Sequence, residues 1–473
     1  MNIRVPRTAL VVFSAFIILA SLGGGCGGNE EQTTSEPETS TEASTTWTSS
    51  ATATQTSAAS TPISTPSQFG SLLSSHDSLP PPGKMTKPSA LTPFTDPVFN
   101  TQVERISDAK ALSKPGLFPD YSKRQAWSSD ESLLLLRSDD GSTLLFDGAT
   151  YKFIKVLEGV AGEDLFWYPT DPALLLYNPG HELWAYNVKT DEQYRIFDFT
   201  GYEFANTRGE GNLSRDGASY AVVASTYNSS SGEVTPKKFI LLSLTQAGGK
   251  ITGKIEHSLD LPKLDSFDWV SVSPGGQYIV ADYADEASGR FHGVEVYDRS
   301  FKPVWQKPLG AGHSDMTIDA GGDEALVMDV YNSDSDKTVF MKYRLSDGQA
   351  TELLTVDAVF DQHISCRNEN QVGWCIISTF DFVGRLTDSA ATWLPFEDEI
   401  FALKLDGSGE VRRIAHHYSR RYSPGTPDPD HSVYWAEPHA TVSRNGDRIL
   451  FGSNWLTNMD KVDSVDAYVV DLR

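Results

Sequence analysis

The chain is 473 residues long and carries 63 Asp and Glu against 39 Lys and Arg, a formal charge of −24 at pH 7. A phosphate backbone has to be gathered by clustered basic residues, so nucleic acid is not expected as a partner. The acidic residues are spread along the chain instead of forming one run, which reads as a solvated acidic surface. At the N-terminus, Arg4 and Arg7 precede an apolar run from Ala9 to Leu22, broken by Ser14 and Ser21 and followed by Gly23, Gly24 and Gly25. That order of charge, apolar stretch and small residues predicts an export signal over 1–25. A permanent spanning helix is the alternative, but it needs about 20 apolar residues and would not end in glycines. Loss of Arg4 and Arg7 with the signal takes the charge from −24 to −26.

Cys26 follows the glycines directly. Its setting resembles the lipobox of bacterial lipoproteins, in which small residues precede a cysteine that is lipidated after cleavage. Gly23 stands where that motif usually has Leu, and Leu22 lies one place further back, so ordinary signal cleavage is the other reading. The resemblance implies lipidation of Cys26 and a membrane partner reached through the lipid anchor, with the chain exported and displayed outside the cytoplasmic membrane. Residues 26–92 are then the lipidated Cys and a tether. From Asn29 to about Ser89, Ser, Thr, Ala, Pro and Glu dominate, too few large apolar residues to bury a core. Ser/Thr with Pro also suits O-glycosylation.

Beyond Ala90 the composition changes to short β-rich runs separated by Gly, Asp, Asn, Ser and Pro, which predicts an all-β domain over 93–473. A polar turn followed by a strongly apolar strand recurs. Ala126-Trp127-Ser128-Ser129-Asp130 leads into Leu133–Leu136, and Gly211-Asn212-Leu213-Ser214-Arg215-Asp216-Gly217 leads into Tyr220–Val223. Further copies begin at Ser271, Thr317 and Thr441. Third strands follow at Leu144–Asp147, Leu183–Asn187, Val294–Asp298 and Phe401–Asp406, and fourth strands at Lys152–Leu157, Gln193–Phe197, Thr351–Leu354 and Val411–Ile414. Four antiparallel strands repeating roughly every 40 to 55 residues predict one β-propeller of about seven four-stranded blades. The blades start near Gln125, Asp164, Gly211, Asp268, His313, His363 and Glu437. The last blade ends on a third-strand pattern, Tyr468–Leu472, while Val103–Ile106 stands unpaired upstream. The N-terminal strand is therefore expected to close the ring. The Ser-x-Asp-Gly turns resemble those of the Tol-associated periplasmic propeller and the wider WD-like propellers, a likeness that implies architecture and not activity.

In such a blade the start of the innermost strand and the loop between second and third strands share one face of the disc. Three consecutive inner strands start with His313, His363 and His439, which predicts convergence at the axis. These imidazoles, with Asp315, Gln362 and Glu437 as oxygen donors, suit a divalent transition metal such as Mn or Zn. Hydrogen bonds to loop backbone, or metal-free ligand contacts, are the other readings of the same spacing. Long second-to-third-strand loops are expected at Tyr227–Pro236, Glu286–His292, Tyr331–Lys337 and Phe380–Glu397. The last carries Phe382, Arg385, Trp393 and Phe396, of which Arg385 and Trp393 suit the rim of a glycan site, with packing onto the blade as the alternative. His416, His417, Arg420 and Arg421 open a further connection bordering this face.

The run Glu437-Pro438-His439 resembles the His-Pro-His motif of oligogalacturonate lyases, seven-bladed propellers with a histidine-bound metal. The resemblance implies His439 as a ligand, while Glu437 replaces the first histidine and Tyr434 stands where that family has a glutamine ligand. Function is accordingly expected to be either an extracytoplasmic binding module for a glycan or protein, or a metal-dependent carbohydrate lyase or hydrolase. Cys366 and Cys375 flank a turn and are the cysteines left once Cys26 is lipidated, which predicts a disulfide in an exported chain. Asn332-Ser333-Asp334-Ser335-Asp336 lacks the glycine and glutamate of a calcium loop, so a polar turn is expected there.

Overall fold

Each repeated turn is specified by its own hydrogen bonds. The Ser128 hydroxyl donates to Asp130 (2.8 Å) and accepts the Leu133 N–H (3.1 Å). Ser214, Ser273 and Ser443 accept the N–H groups of Ser219, Tyr278 and Arg448 in the same way. Gly276 and Gly446 take φ of 74° and 73° in these turns, a left-handed conformation that a Cβ would strain. The Asn332 side chain likewise caps a polar turn, accepting the N–H groups of Asp334 and Ser335.

The computed structural model describes residues 68–83, 85–358, 360–381, 393–421, 433–456 and 465–473. The expected signal segment, Cys26 and the first part of the tether lie outside them. Among the described residues no helix is long and apolar enough to cross a membrane.

Seven antiparallel sheets form a ring, each a propeller blade; in the first six the strands run in sequence order from the axis outward, and the seventh adds N-terminal strands outside its own three. Inner strands are Leu165–Trp167, Phe204–Asn206, Trp269–Val272, Ser314–Ile318, Phe360–Ser365 and Thr441–Val442 in blades 2 to 7. In blade 1 the inner strand is reduced to a bridge between Trp127 and Leu134. Blade 3 departs from expectation, since its inner strand precedes Gly211. There the Gly211 N–H donates to Thr207 Oγ1 (2.9 Å), and a Cβ on Gly211 would stand 2.2 Å from the Val270 carbonyl. That segment meets blade 4 through isolated bonds instead of a strand ladder, the Asn212 N–H donating to Ser271 Oγ (2.9 Å) and the Arg215 N–H to the Pro274 carbonyl (2.8 Å). Two of the expected long loops are shortened by strand pairing: Ser219–Asn228 pairs with Glu233–Ala247, and Glu324–Asn332 with Lys337–Arg344, leaving tight turns between them.

One hydrophobic cluster lies between every adjacent pair of blades, and blades 7 and 1 share theirs through Leu450, Val469, Leu134 and Phe146. The ring is closed by the N-terminal strand, as the sequence predicts. Gln102–Arg105 pairs antiparallel with Asp466–Asp471, placing Val103 opposite Val470, and Phe94–Thr95 adds a fifth strand outside it. The ordered packing reaches back into the segment that composition assigns to the tether. Phe69 is 0% exposed against Trp374, Leu73 bridges to Arg413, and the Trp455 indole N–H donates to the Met85 carbonyl. Few apolar residues occur there, but the large ones are placed where blades 6 and 7 need covering.

Two outcomes follow from closure. A chain beginning at Ser113 loses the burial of Phe99, Val103, Ile106 and Ala109 and should be less stable than one beginning at Ser89 by about 5 kcal/mol or more. Phe69→Ala should cost about 3 to 4 kcal/mol. Thermal or denaturant unfolding measures both, and equal midpoints for the two truncated chains would reject ring closure by this strand.

Candidate functional site

The inner strands lean together toward the axis, and the segment Tyr121-Ser122-Lys123-Arg124 is threaded between them before blade 1 begins. Arg124 Nη2 pairs with Asp164 (2.7 Å) of blade 2, and its guanidinium lies 4.3 Å from the Phe166 ring. Lys123 Nζ pairs with Glu210 (2.5 Å), reaches Ser314 (3.3 Å) and stands 4.4 Å from the Trp269 ring. The Tyr121 ring lies 5.5 Å from that of His363 and 5.3 Å from that of His439. This plug touches blades 2 to 7. Nothing in the periodicity of the sequence marks it, although two adjacent cations just ahead of an apolar repeat were the available signal.

His313, His363 and His439 do come together. Ring centroids are 4.6 Å apart for His313 and His363 and 4.1 Å for His363 and His439. Their environments then separate them. His439, held at φ 43°, has Nδ1 2.9 Å from the Glu437 carbonyl. A carbonyl only accepts, so Nδ1 carries the proton and Nε2 presents its lone pair. That Nε2 is buried with no partner, as are both ring nitrogens of His363. Glu437 Oε2 stands 3.6 Å from His363 Nε2 and 3.7 Å from His439 Nε2, and Arg421 Nη1 holds the other oxygen at 2.5 Å. One ligand atom from each of His363, Glu437 and His439 lies within 4.8 Å of the others.

Burial pushes His363 well below the ordinary imidazole range, with the neighbouring His439 and His313 adding to it. His439 is pushed down to about 3 by burial, against the pull of its bond to Glu437. Glu437 is pushed up to about 8 by burial, with Arg421 opposing and Asp361 adding. Neutral imidazoles are the form that ligates a divalent cation, and a cation between them would displace the proton that burial favours on Glu437. Buried nitrogens without a protein partner are costly, so the residues present fit a ligand atom held between them.

The remaining candidates are spoken for. His313 donates to Asp361 (3.1 Å); burial opposes its charge, but Asp361, Asp329 and Glu437 outweigh it and hold the imidazole up at about 10. Asp315 is consumed by Arg367, at 3.0 and 2.6 Å, and by the Cys366 N–H at 2.7 Å, which ties blade 5 to blade 6. Gln362 donates to Asp329 (2.7 Å), leaving its carbonyl oxygen buried and unpartnered. Trp393 is 3% exposed and so is buried where a rim position was expected, with Phe396 packed on Phe401 at 4.8 Å between ring centroids. Phe382 and Arg385 lie outside the described residues. Cys366 and Cys375 are joined by a disulfide, Cα atoms 4.5 Å apart.

Compared by sequence, the chain matches no protein-family model and no curated protein. Compared by structure, it is similar to an oligogalacturonate lyase from Vibrio parahaemolyticus, with a TM-score of 0.55 and 14% identity over 80% of this chain and 96% of that one. It is also similar to an oligogalacturonate lyase in complex with manganese, with a TM-score of 0.53 and 13% identity over 81% of this chain and 96% of that one. At such identities the likeness shows the propeller fold alone.

Next to this face, His417 is locked as a neutral ring. Nε2 meets the Thr379 carbonyl at 2.8 Å and Nδ1 accepts the Ser419 N–H at 3.1 Å, so a second proton would face a donor. Burial pushes the group down to about 4, its bond to Thr379 opposing and Arg420 adding. A folded-state value below the unfolded one means stability present above pH ~6.5 that is lost as pH falls toward 4, up to roughly 3 kcal/mol. His417→Gln, which keeps a non-titrating donor for the Thr379 carbonyl, should reduce the dependence of unfolding free energy on pH across that window. An unchanged slope would refute the assignment.

Proposed function

We propose that this chain is a lipid-anchored, extracytoplasmic propeller whose axial face holds a divalent transition metal and acts on carbohydrate, in the manner of a lyase or hydrolase. One observation carries the reading: His363 Nε2, His439 Nε2 and Glu437 Oε2 converge, buried, with neither imidazole nitrogen partnered. Two imidazoles and a carboxylate are a donor set suited to Mn or Zn. A metal bound there would supply Lewis-acid polarisation of a sugar oxygen. The chain's own residues do the rest. Arg421 keeps Glu437 oriented, the Glu437 carbonyl fixes the His439 tautomer, and Phe380 stacks on the His363 ring at 5.2 Å to hold its plane. Tyr434, partly exposed and 5.0 Å from His439 between ring centroids, offers a surface for a sugar ring. The manganese named with one structurally similar lyase supports the metal, and the departures at Glu437 and Tyr434 leave the substrate open.

The same face without turnover is a glycan-binding module, and shortening of an oligosaccharide separates the two. For the anchor, support comes from the order of Arg4, Arg7, the apolar run, the glycines and Cys26, and the Cys366–Cys375 disulfide suits an oxidising compartment.

Elemental analysis of the purified protein should find one equivalent of transition metal. His363→Ala, His439→Ala and Glu437→Gln should each lower metal affinity by at least about a hundredfold, more than loss of an outer partner does. Metal-free protein, or variants that keep their metal, would overturn the centre. Cys26→Ser should move the protein from the membrane fraction to the soluble fraction, and continued membrane association after signal removal would overturn the anchor.

A further inference from the structure

An exposed aromatic ring taken singly needs no explanation, since much of any protein surface is apolar. Among the described residues Tyr227, Tyr331 and Tyr434 are the tyrosines and tryptophans most open to solvent, at 40%, 60% and 38%. All three stand on the face of the disc that carries the imidazoles. Tyr227 and Tyr331 lie near the ends of second strands, Ser219–Asn228 of blade 3 and Glu324–Asn332 of blade 5, and Tyr434 borders His439. The two outlying rings are held in place. The Tyr331 hydroxyl donates to Asp336 (3.1 Å), while the Tyr227 ring meets Phe204 edge-on at 6.0 Å between centroids and the Tyr227 N–H donates to Glu203 (3.0 Å). A fixed aromatic plane with a polar tip, open to water, suits stacking against a sugar ring.

Tyr331 also lines an open groove of about 410 Å³ on blade 5. The second and third strands of that blade, Glu324–Asn332 and Lys337–Arg344, run for nine and eight residues, against five in each of Tyr278–Asp282 and Val294–Asp298 of blade 4. Val330, Val339 and Met341 remain half-buried on them and form the apolar floor, with Asn332 and Glu352 as polar walls. A groove of that size and composition takes a small ligand such as one or two sugar rings. It is joined to the histidine centre by short steps. The His313 and His363 rings are 4.6 Å apart, and Asp329 accepts the His313 N–H and the Gln362 amide, each at 2.7 Å. Tyr331 follows two residues later, at most about 7 Å along the strand. We infer that this face takes a neutral polysaccharide chain, with an inner unit beside Tyr434 and further units reaching outward to stack on Tyr331 in the blade 5 groove. Tyr227 extends the same kind of surface to blade 3. Charge selects a neutral chain, because Glu352 lines the groove, Asp336 and Glu203 adjoin the two outlying rings, and the protein as a whole carries −24. A polyuronate would meet these as like charges. The inference rests on the carbohydrate reading for the inner unit, and the outer contacts involve no metal.

The test uses the full-length protein in detergent micelles, with metal content and sugar binding measured on the same samples. The probes are cellohexaose, xylohexaose, mannohexaose and maltohexaose, each beside its dimer, and hexagalacturonate. At least one neutral hexamer should bind about tenfold more tightly than both its dimer and hexagalacturonate. Tyr331→Ala should lower affinity for that hexamer about tenfold, with dimer affinity and metal content unchanged. Tyr331→Phe, which keeps the ring, should bind the hexamer as the wild type does. Because the hexamer-to-dimer ratio of the wild-type protein is itself a readout, a poorly folded variant does not blunt the test. No hexamer exceeding its dimer, no neutral sugar bound, equal or tighter binding of hexagalacturonate, or a hexamer advantage that survives Tyr331→Ala would overturn the inference. The proposed function fails separately. Absence of metal beside an intact hexamer advantage would overturn the metal centre, and a bound hexamer that is never shortened would overturn turnover, each leaving the groove standing.

Discussion

The pairing of Gln102–Arg105 with Asp466–Asp471 is the contact on which the rest of the molecule depends. It turns a row of sheets into a ring, and only a ring has an axis. Without it, blade 7 would present an open strand edge, and the cluster shared by Leu450, Val469, Leu134 and Phe146 would not form. The remaining N-terminal contacts extend that logic. Asp466, beside the closing strand, takes Arg105 at 2.8 Å, Lys87 at 2.7 Å and the Ala109 N–H at 2.8 Å, so one buried carboxylate gathers three stretches of the entering chain.

Closing the ring crowds inner strands whose polar groups have nowhere to meet water. The fold answers in two ways. Where a partner is available, the group is fully satisfied: Asp164 accepts from Arg124, Thr207 and Tyr220, and Asp315 from Arg367 and two backbone N–H groups. Such buried pairs add little net stability, since desolvation offsets their attraction, but removing one partner would strand the other. They fix how blades sit against one another. At His363 and His439 the unpartnered ring nitrogens have no hydrogen-bonding group among the described residues, and buried polar atoms of that kind call for one.

This contrast also separates the histidines. His313 and His363 have rings in contact, yet Asp361 makes the first a cation and burial keeps the second neutral. The plug divides the depression in the same spirit. Lys123 pairs with Glu210 and also lies, with Arg208, within electrostatic reach of Asp268, while Tyr121 lies against His363 and His439 on the other side.

The sequence alone determined the blade count, the strand order, the closing strand and the grouping of His313, His363 and His439. Each of these is written in local terms: a serine that caps its own turn, an apolar alternation within a strand, a histidine at a strand start. The tertiary structure decided which of those side chains remain unpartnered. Asp315 and Glu437 are equally plausible ligands by type and position, but Arg367, fifty-two residues from Asp315, takes up the first, while Glu437 turns one oxygen toward two imidazoles. Tyr121 and Lys123 reach the axis from a segment with no strand pattern, and Phe69 packs from a stretch whose composition reads as tether. Burial and pairing at the axis are sums over six or seven segments far apart in the chain, and no local pattern encodes such a sum.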